Sequence, residues 1–169
     1  MISDKMQDAI NRQINAELWS AYLYLSMGAN FHDKGFDGIA NWFEVQFKEE
    51  QDHAMILYKY MQSCNVRVVL KPIEAVETEW ATPLAAFEDT LKHEKKVTSM
   101  IHNINKLAIE NGDYATQSRM IWFIDEQVEE EEEAQKMIDS FKLIEGNGVG
   151  LYILDKDLGK REYHKASAL

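Results

Sequence analysis

Glu50 and His53 stand three residues apart in Glu50-Gln51-Asp52-His53, a spacing that puts a carboxylate and an imidazole on one side of a helical turn. They interrupt the series Ile39, Phe43, Gln46, Glu50, His53, Leu57, Tyr60 and Cys64, whose three-four alternation is that of a helix side facing a core. Two ionisable groups in such a stripe are costly to bury unless a charge compensates them. A metal cation does so directly, because carboxylate oxygen and imidazole nitrogen are both ligands and at this spacing point to one spot.

The interruption recurs in three other segments. One stripe runs Ile10, Ile14, Glu17, Ala21, Tyr24, Gly28, Phe31; a second runs Leu84, Phe87, Leu91, Glu94, Thr98, Ile101, Asn105, Ala108; a third runs Met120, Phe123, Gln127, Glu130, Ala134, Met137, Phe141, Ile144. A single buried acid is more often a satisfied core group than a ligand. Four at matching depth are not explained that way. Counted from a turn at Lys34-Gly35, Glu17 and Glu50 lie at similar distances; counted from a turn at Asn111-Gly112, so do Glu94, Gln127 and Glu130. At about 1.5 Å of rise per residue, all sit roughly 22–28 Å from their turn. The carboxylates therefore form one layer about halfway along a helical bundle.

The elements that must hold this layer are helices at about 4–32, 37–64, 83–111 and 114–143, with a short fifth near 149–158. Asn65 to Thr82 lacks helical period, and Val66-Arg67-Val68-Val69-Leu70 looks extended. Two short turns and one long link predict two antiparallel pairs joined by a crossover, with the second and third helices parallel. Gly146-Asn147-Gly148 stops the fourth helix. The expected fold class is all-α: a four-helix bundle with one long crossover and a short C-terminal helix, a single domain over 1–169.

Composition agrees. Eight glycines and two prolines among 169 residues leave long helices unbroken, and Pro72 and Pro83 lie in or beside the non-helical link. No apolar run reaches transmembrane length and the N-terminus lacks the pattern of a signal peptide, so no membrane role and a cytoplasmic location are expected. A lone Cys64 excludes an internal disulfide and a four-cysteine iron centre within the chain, and fits a reducing compartment. A net charge of −11 without a basic patch argues against nucleic acid. In the run Glu129 to Glu133, Glu131 and Glu132 are expected to face water, whereas Glu126, Glu129, Glu130 and Glu133 share a narrower face that attracts cations together. Trp19, Tyr22, Trp42, Phe47, Tyr58 and Tyr60, on the flanks of the first two helices, either widen the core or mark a subunit interface.

Four carboxylates (Glu17, Glu50, Glu94, Glu130), one imidazole (His53) and one amide (Gln127) make an oxygen-rich set that suits iron or manganese better than structural zinc. Glu50, placed centrally, bridges two metals; Glu17 and His53 complete one position, Glu94 and Glu130 the other. The second position has no imidazole, and Gln127 is a weak neutral ligand, so it should bind metal more loosely. A weak, unequal pair suits metal in transit.

The chain resembles the non-haem ferritins of bacteria and archaea over essentially its whole length. The matching motifs are Asn15-Ala16-Glu17, Glu49-Glu50-x-x-His53, His93-Glu94, Trp122, Glu126-Gln127-x-Glu129-Glu130, Gly150-Leu151-Tyr152 and Asp155-Lys156. The resemblance implies a ferroxidase that oxidises ferrous iron with dioxygen or peroxide, and a hollow homo-oligomeric shell of twenty-four subunits that stores ferric iron as hydrated oxide. It implies Glu17, Glu50 and His53 around the first iron, Glu50, Glu94 and Glu130 around the second with Gln127 beside it, and Glu49, Glu126, Glu129 and Glu130 at a third. Tyr24 matches a tyrosine beside the centre that hydrogen-bonds or donates an electron. Haem-binding relatives would carry glutamate at Gln127, histidine at Glu130 and methionine at Gln51, so no haem is expected. A rubrerythrin-like peroxidase would need a second Glu-x-x-His and a cysteine-rich iron domain. A twelve-subunit mini-ferritin would build its site between subunits, and a metal-free bundle would have an apolar middle layer.

Overall fold

A computed structural model of the chain describes residues 2–167. Five helices follow one another: α1 (Asp4–Asp33), α2 (Asp37–Ser63), α3 (Pro83–Glu110), α4 (Tyr114–Leu143) and α5 (Gly148–Leu158). Their ends fall within one residue of those read from the sequence. Among the described residues there is no strand, and no helix is long and apolar enough to cross a membrane.

Local chemistry sets the helix starts. Ser3, Thr82, Asp113 and Asn147 each accept a backbone N–H of the first turn of α1, α3, α4 and α5, and Pro83 opens α3, where its missing N–H costs nothing. Helix α2 has no such residue; Phe36 precedes it. Asp155 of α5 caps it instead, its Oδ1 accepting the Ile39 N–H at 2.9 Å. This approach leaves no room at Gly38, where a Cβ would lie 1.6 Å from the Asp155 carbonyl oxygen. The α1–α2 and α3–α4 turns place Gly35 and Gly112 at φ +81° and +63°, a conformation glycine adopts without strain.

The link between α2 and α3 runs the length of α1. Val69 N–H donates to Asn11 (2.9 Å), Asn15 to the Pro72 carbonyl (3.4 Å), Ser26 to that of Glu77 (2.7 Å), and Trp80 N–H to Asn30 (3.4 Å). The chain thus returns to the α2 start before α3 begins, which makes α2 and α3 parallel. Val66 and Val68 are half-buried while Arg67 and Val69 are exposed, the alternation of an extended segment. Buried Trp80 donates to Asp89 at 3.0 Å and fixes the far end.

The apolar core is divided in two. One cluster gathers Met6, Ile10, Ile14, Leu57, Met61, Val97, Ile101, Met120 and Phe123. The other gathers Tyr24, Phe31, Phe43, Trp42, Phe87, Ile138 and Phe141, with Phe43 and Phe87 stacked at 4.9 Å. Every long helix passes from one cluster to the other, and the residues it carries between them are Glu17, Glu50 and His53, Glu94, and Gln127 with Glu130. Trp42 and Tyr60 are buried and widen the core, whereas Tyr22 is half exposed.

Candidate metal centre

Each long helix contributes at its middle, and the i,i+3 spacing of Glu50 with His53 and of Gln127 with Glu130 puts each pair on one helix face. Glu17, Glu50, His53, Glu94, Gln127 and Glu130 are all buried, none exposed by more than 7%. Among the described residues two groups of ligand atoms converge, each with its atoms within 4.8 Å of one another: Glu17, Glu50 and His53, and His53, Glu126 and Glu130. His53 stands between them, Nδ1 3.4 Å from Glu50 Oε2 and Nε2 3.7 Å from Glu126 Oε1.

Hydrogen bonds hold the ligands unequally. Glu17 Oε1 accepts the Gln13 amide at 2.8 Å. Glu94 accepts the Tyr24 hydroxyl and, on its other oxygen, the Gln127 amide at 3.1 Å. Gln127 also reaches the Glu94 carbonyl and Thr98, both at 3.2 Å. Glu130 Oε2 accepts the Gln46 amide at 2.6 Å. Among the described residues, nothing hydrogen-bonds to buried Glu17 Oε2 or His53 Nε2. Buried polar atoms of this kind are rare, and here they face a cluster of carboxylates, an arrangement that fits a cation.

Electrostatics agree. Burial, followed by the charge of Glu50, raises the Glu17 carboxyl well above its ordinary range. Burial and Glu50 push Glu94 up to about 8, and burial with the charge of Glu94 raises Glu130. Burial opposes the ionised form of Glu50 too, but the charge and hydrogen bond of His53 outweigh it and hold this carboxyl below its ordinary value. His53 is raised despite burial, by contacts with Glu126 and Glu50. These shifts favour protonated carboxyls around an ionised Glu50, and a divalent cation would displace such protons. One nitrogen among carboxylate oxygens suits iron.

A ferritin-like domain model matches residues 7–144. A bacterial non-heme ferritin of Bacteroides fragilis is 40% identical over 161 residues, covering 95% of this chain and 100% of its own; one of Staphylococcus saprophyticus is 36% identical over 166 residues, covering 98% and 99%. The chain belongs to the ferritin family. Among solved ferritins, the open-pore protein of the archaeon Archaeoglobus fulgidus superposes with a TM-score of 0.94 at 43% identity, covering 96% of this chain and all of that one. A closed form engineered from it superposes with a TM-score of 0.95, at 43% identity over 97% of this chain and all of the other.

Within this ferritin the remaining residues singled out in the sequence are placed as follows. Tyr24 is fully buried with its hydroxyl on Glu94, and burial and that carboxylate raise its phenol. Trp122 meets the His53 ring edge to face at 5.5 Å. Glu126 closes the second ligand group, which Glu50 does not join, and Glu94, Glu49 and Glu129 enter neither group; Glu129 is exposed, and Glu49 is paired with Arg161 at 2.7 Å. Glu131, expected in water, is half-buried and accepts the Thr98 hydroxyl at 2.6 Å. Gln13, Ser20 and Arg161 escaped the sequence reading, and His93 entered it only as part of the His93-Glu94 motif. Gln13 had a usable signal, its position four residues before Glu17. His93 lies 2.7 Å from Ser20 Oγ and packs on Trp19, and burial pushes its imidazole down to about 4.

Proposed function

We propose that this ferritin oxidises ferrous iron at a dinuclear centre within each chain and stores the ferric product as a hydrated oxide inside a hollow shell of twenty-four identical subunits, in the cytoplasm and without haem. The observation that carries the reading is the buried layer itself: four carboxylates and one imidazole between two apolar clusters, with bare atoms on Glu17 and His53. Family membership supports iron storage.

Glu17, Glu50 and His53 hold the first ferrous ion as substrate. Glu50 bridges to the second, which Glu94 and Glu130 complete with Gln127 and Glu126 alongside. Two ferrous ions supply two electrons, enough to reduce dioxygen to peroxide or peroxide to water. Tyr24, hydrogen-bonded to Glu94, orients that ligand and is placed to donate a further electron. Product leaves past Glu49, Glu126, Glu129 and Glu130, the third iron position, toward the inner face. The whole chain acts as one such domain.

Aerobic loading with ferrous salt, followed by particle sizing and iron counting, tests this. The expected product is a large shell holding on the order of hundreds of ferric ions. Two ferric ions per chain in a small particle would leave an oxidase without storage.

A further inference from the structure

The segment after α5 returns to the metal centre. Asn41 of α2 donates to the carbonyls of Leu158 and Arg161 at 3.2 and 3.0 Å, and Asp52 Oδ2 accepts the Tyr163 hydroxyl at 2.6 Å and the Ala166 N–H at 2.9 Å. Residues 158–166 are thereby laid along α2. Between these anchors Arg161 turns inward, its guanidinium 4.5 Å from the Trp42 ring.

The guanidinium is occupied on both nitrogens at its tip. Nη1 donates to the Trp42 carbonyl at 3.2 Å and to Gln46 Oε1 at 3.0 Å; Nη2 donates to Glu49 at 2.7 Å and approaches Glu133 at 3.5 Å. A planar fork with several acceptors at once has little freedom left. Gln46 is fully buried, and its side chain has one acceptor end and one donor end. Arg161 takes the oxygen. The nitrogen is therefore directed at Glu130 Oε2, 2.6 Å away. Turning the amide over would set its oxygen against a carboxylate and its N–H groups against a guanidinium. The relay Arg161–Gln46–Glu130 joins the C-terminal segment to a ligand of the second metal position without Arg161 touching any ligand of either converging group.

We propose that Arg161 is a positioning residue for the metal centre: acting through Gln46, it sets the orientation in which Glu130 is presented to metal. The proposal rests on reading Glu130 as a ligand. Outer hydrogen-bond partners of metal ligands commonly govern affinity by about tenfold or more. Here the partner is supplied by a residue more than a hundred positions away from Gln46 in sequence.

The test is titration of the assembled protein with Zn2+, a redox-inert probe, by calorimetry. Arg161→Met keeps an apolar stem over Trp42 and removes every donor; Gln46→Leu cuts the relay at its middle. Each is expected to weaken the second binding step about tenfold and spare the first, and the double variant should lose no more than either single one. Glu130→Ala, the control, should remove the second step. Wild-type Zn2+ affinity in Arg161→Met, with the second step still lost in Glu130→Ala, would overturn the relay and leave the ligand reading standing. A second step indifferent to Glu130→Ala would remove both. Additive losses in the double variant would mean that Arg161 does not act through Gln46. Should Arg161→Met fail to assemble, Arg161→Lys takes its place, since a single ammonium cannot serve Gln46 and Glu49 with the geometry of the fork; unchanged affinity there would also overturn the proposal.

Discussion

The two sides of the polar layer are built differently. On the α1–α2 side, Glu17, Glu50 and His53 converge, and among the described residues nothing hydrogen-bonds to Glu17 Oε2 or His53 Nε2. On the α3–α4 side, Glu94 is engaged on both oxygens, by Tyr24 and by Gln127, and Glu130 is held by Gln46. The proposed first position would need only the protons of Glu17 and His53 removed. At the proposed second, metal would also have to displace or share the hydrogen bonds on both Glu94 oxygens, while Gln46 holds Glu130 from outside. The contrast supplies a physical reason for unequal binding beyond the missing imidazole: one half is preorganised, the other is self-satisfied until metal arrives.

Glu50→Ala should break the comparison altogether, because it removes the ligand proposed to be shared by both positions. Stopped-flow oxidation of ferrous iron is expected to slow by about a hundredfold or more, while the fold survives, since thinning a buried carboxylate cluster is often neutral or stabilising. An unchanged rate would rule out the bridge.

Lowering pH should weaken both proposed positions. Apparent affinity falls about tenfold per pH unit for each proton metal must displace, and each position carries two raised groups, Glu17 and His53 at the first and Glu94 and Glu130 at the second. Between pH 8 and 6 both Zn2+ steps should therefore weaken, with proton release visible in weakly buffered solution; a pH-independent step would remove that position's raised groups from the ligand set. The same groups set metal-free stability. Glu94 is protonated in folded and unfolded chains below the ordinary carboxylate range and ionised only in the unfolded chain from there to about 8. Its contribution thus lowers the melting temperature of the metal-free protein as pH rises through that window, and added metal should reverse the loss.

Gln127→Glu should narrow the difference by giving the second position another anionic ligand. The expected gain in the second Zn2+ step is about tenfold, the scale of one charge-assisted contact; no gain would place residue 127 out of reach of the metal. Gln13→Leu should act on the other side only. Losing the hydrogen bond to Glu17 is expected to weaken the first step about fivefold, and calorimetry showing an equal loss at both steps would refute the separation.

Much of this was legible in the sequence because helical period is a local property. The stripe through Glu50 and His53, and its loss between Asn65 and Thr82, required only neighbours in the chain. The α3 stripe drawn through Leu91 and Asn105 was too narrow: both are half-buried, and the fully buried Val97 and Ile104 lie beside it. What pairs distant segments left no periodic trace. Asp155 capping α2, Gly38 yielding space to α5, and Arg161 reaching Gln46 each join positions more than a hundred residues apart. Glu49 shows the same limit. Nothing local to it revealed the guanidinium that holds it.

The order of filling is the most direct test of a dinuclear centre with unequal halves. Protein loaded without oxygen with one and then two ferrous ions per chain, crystallised, and measured by anomalous diffraction at the iron edge would show it. One equivalent should appear among Glu17, Glu50 and His53, and the second should add density on the Glu94 and Glu130 side of Glu50. Equal occupancy of both positions at one equivalent, or iron bound away from Glu50, would contradict the account.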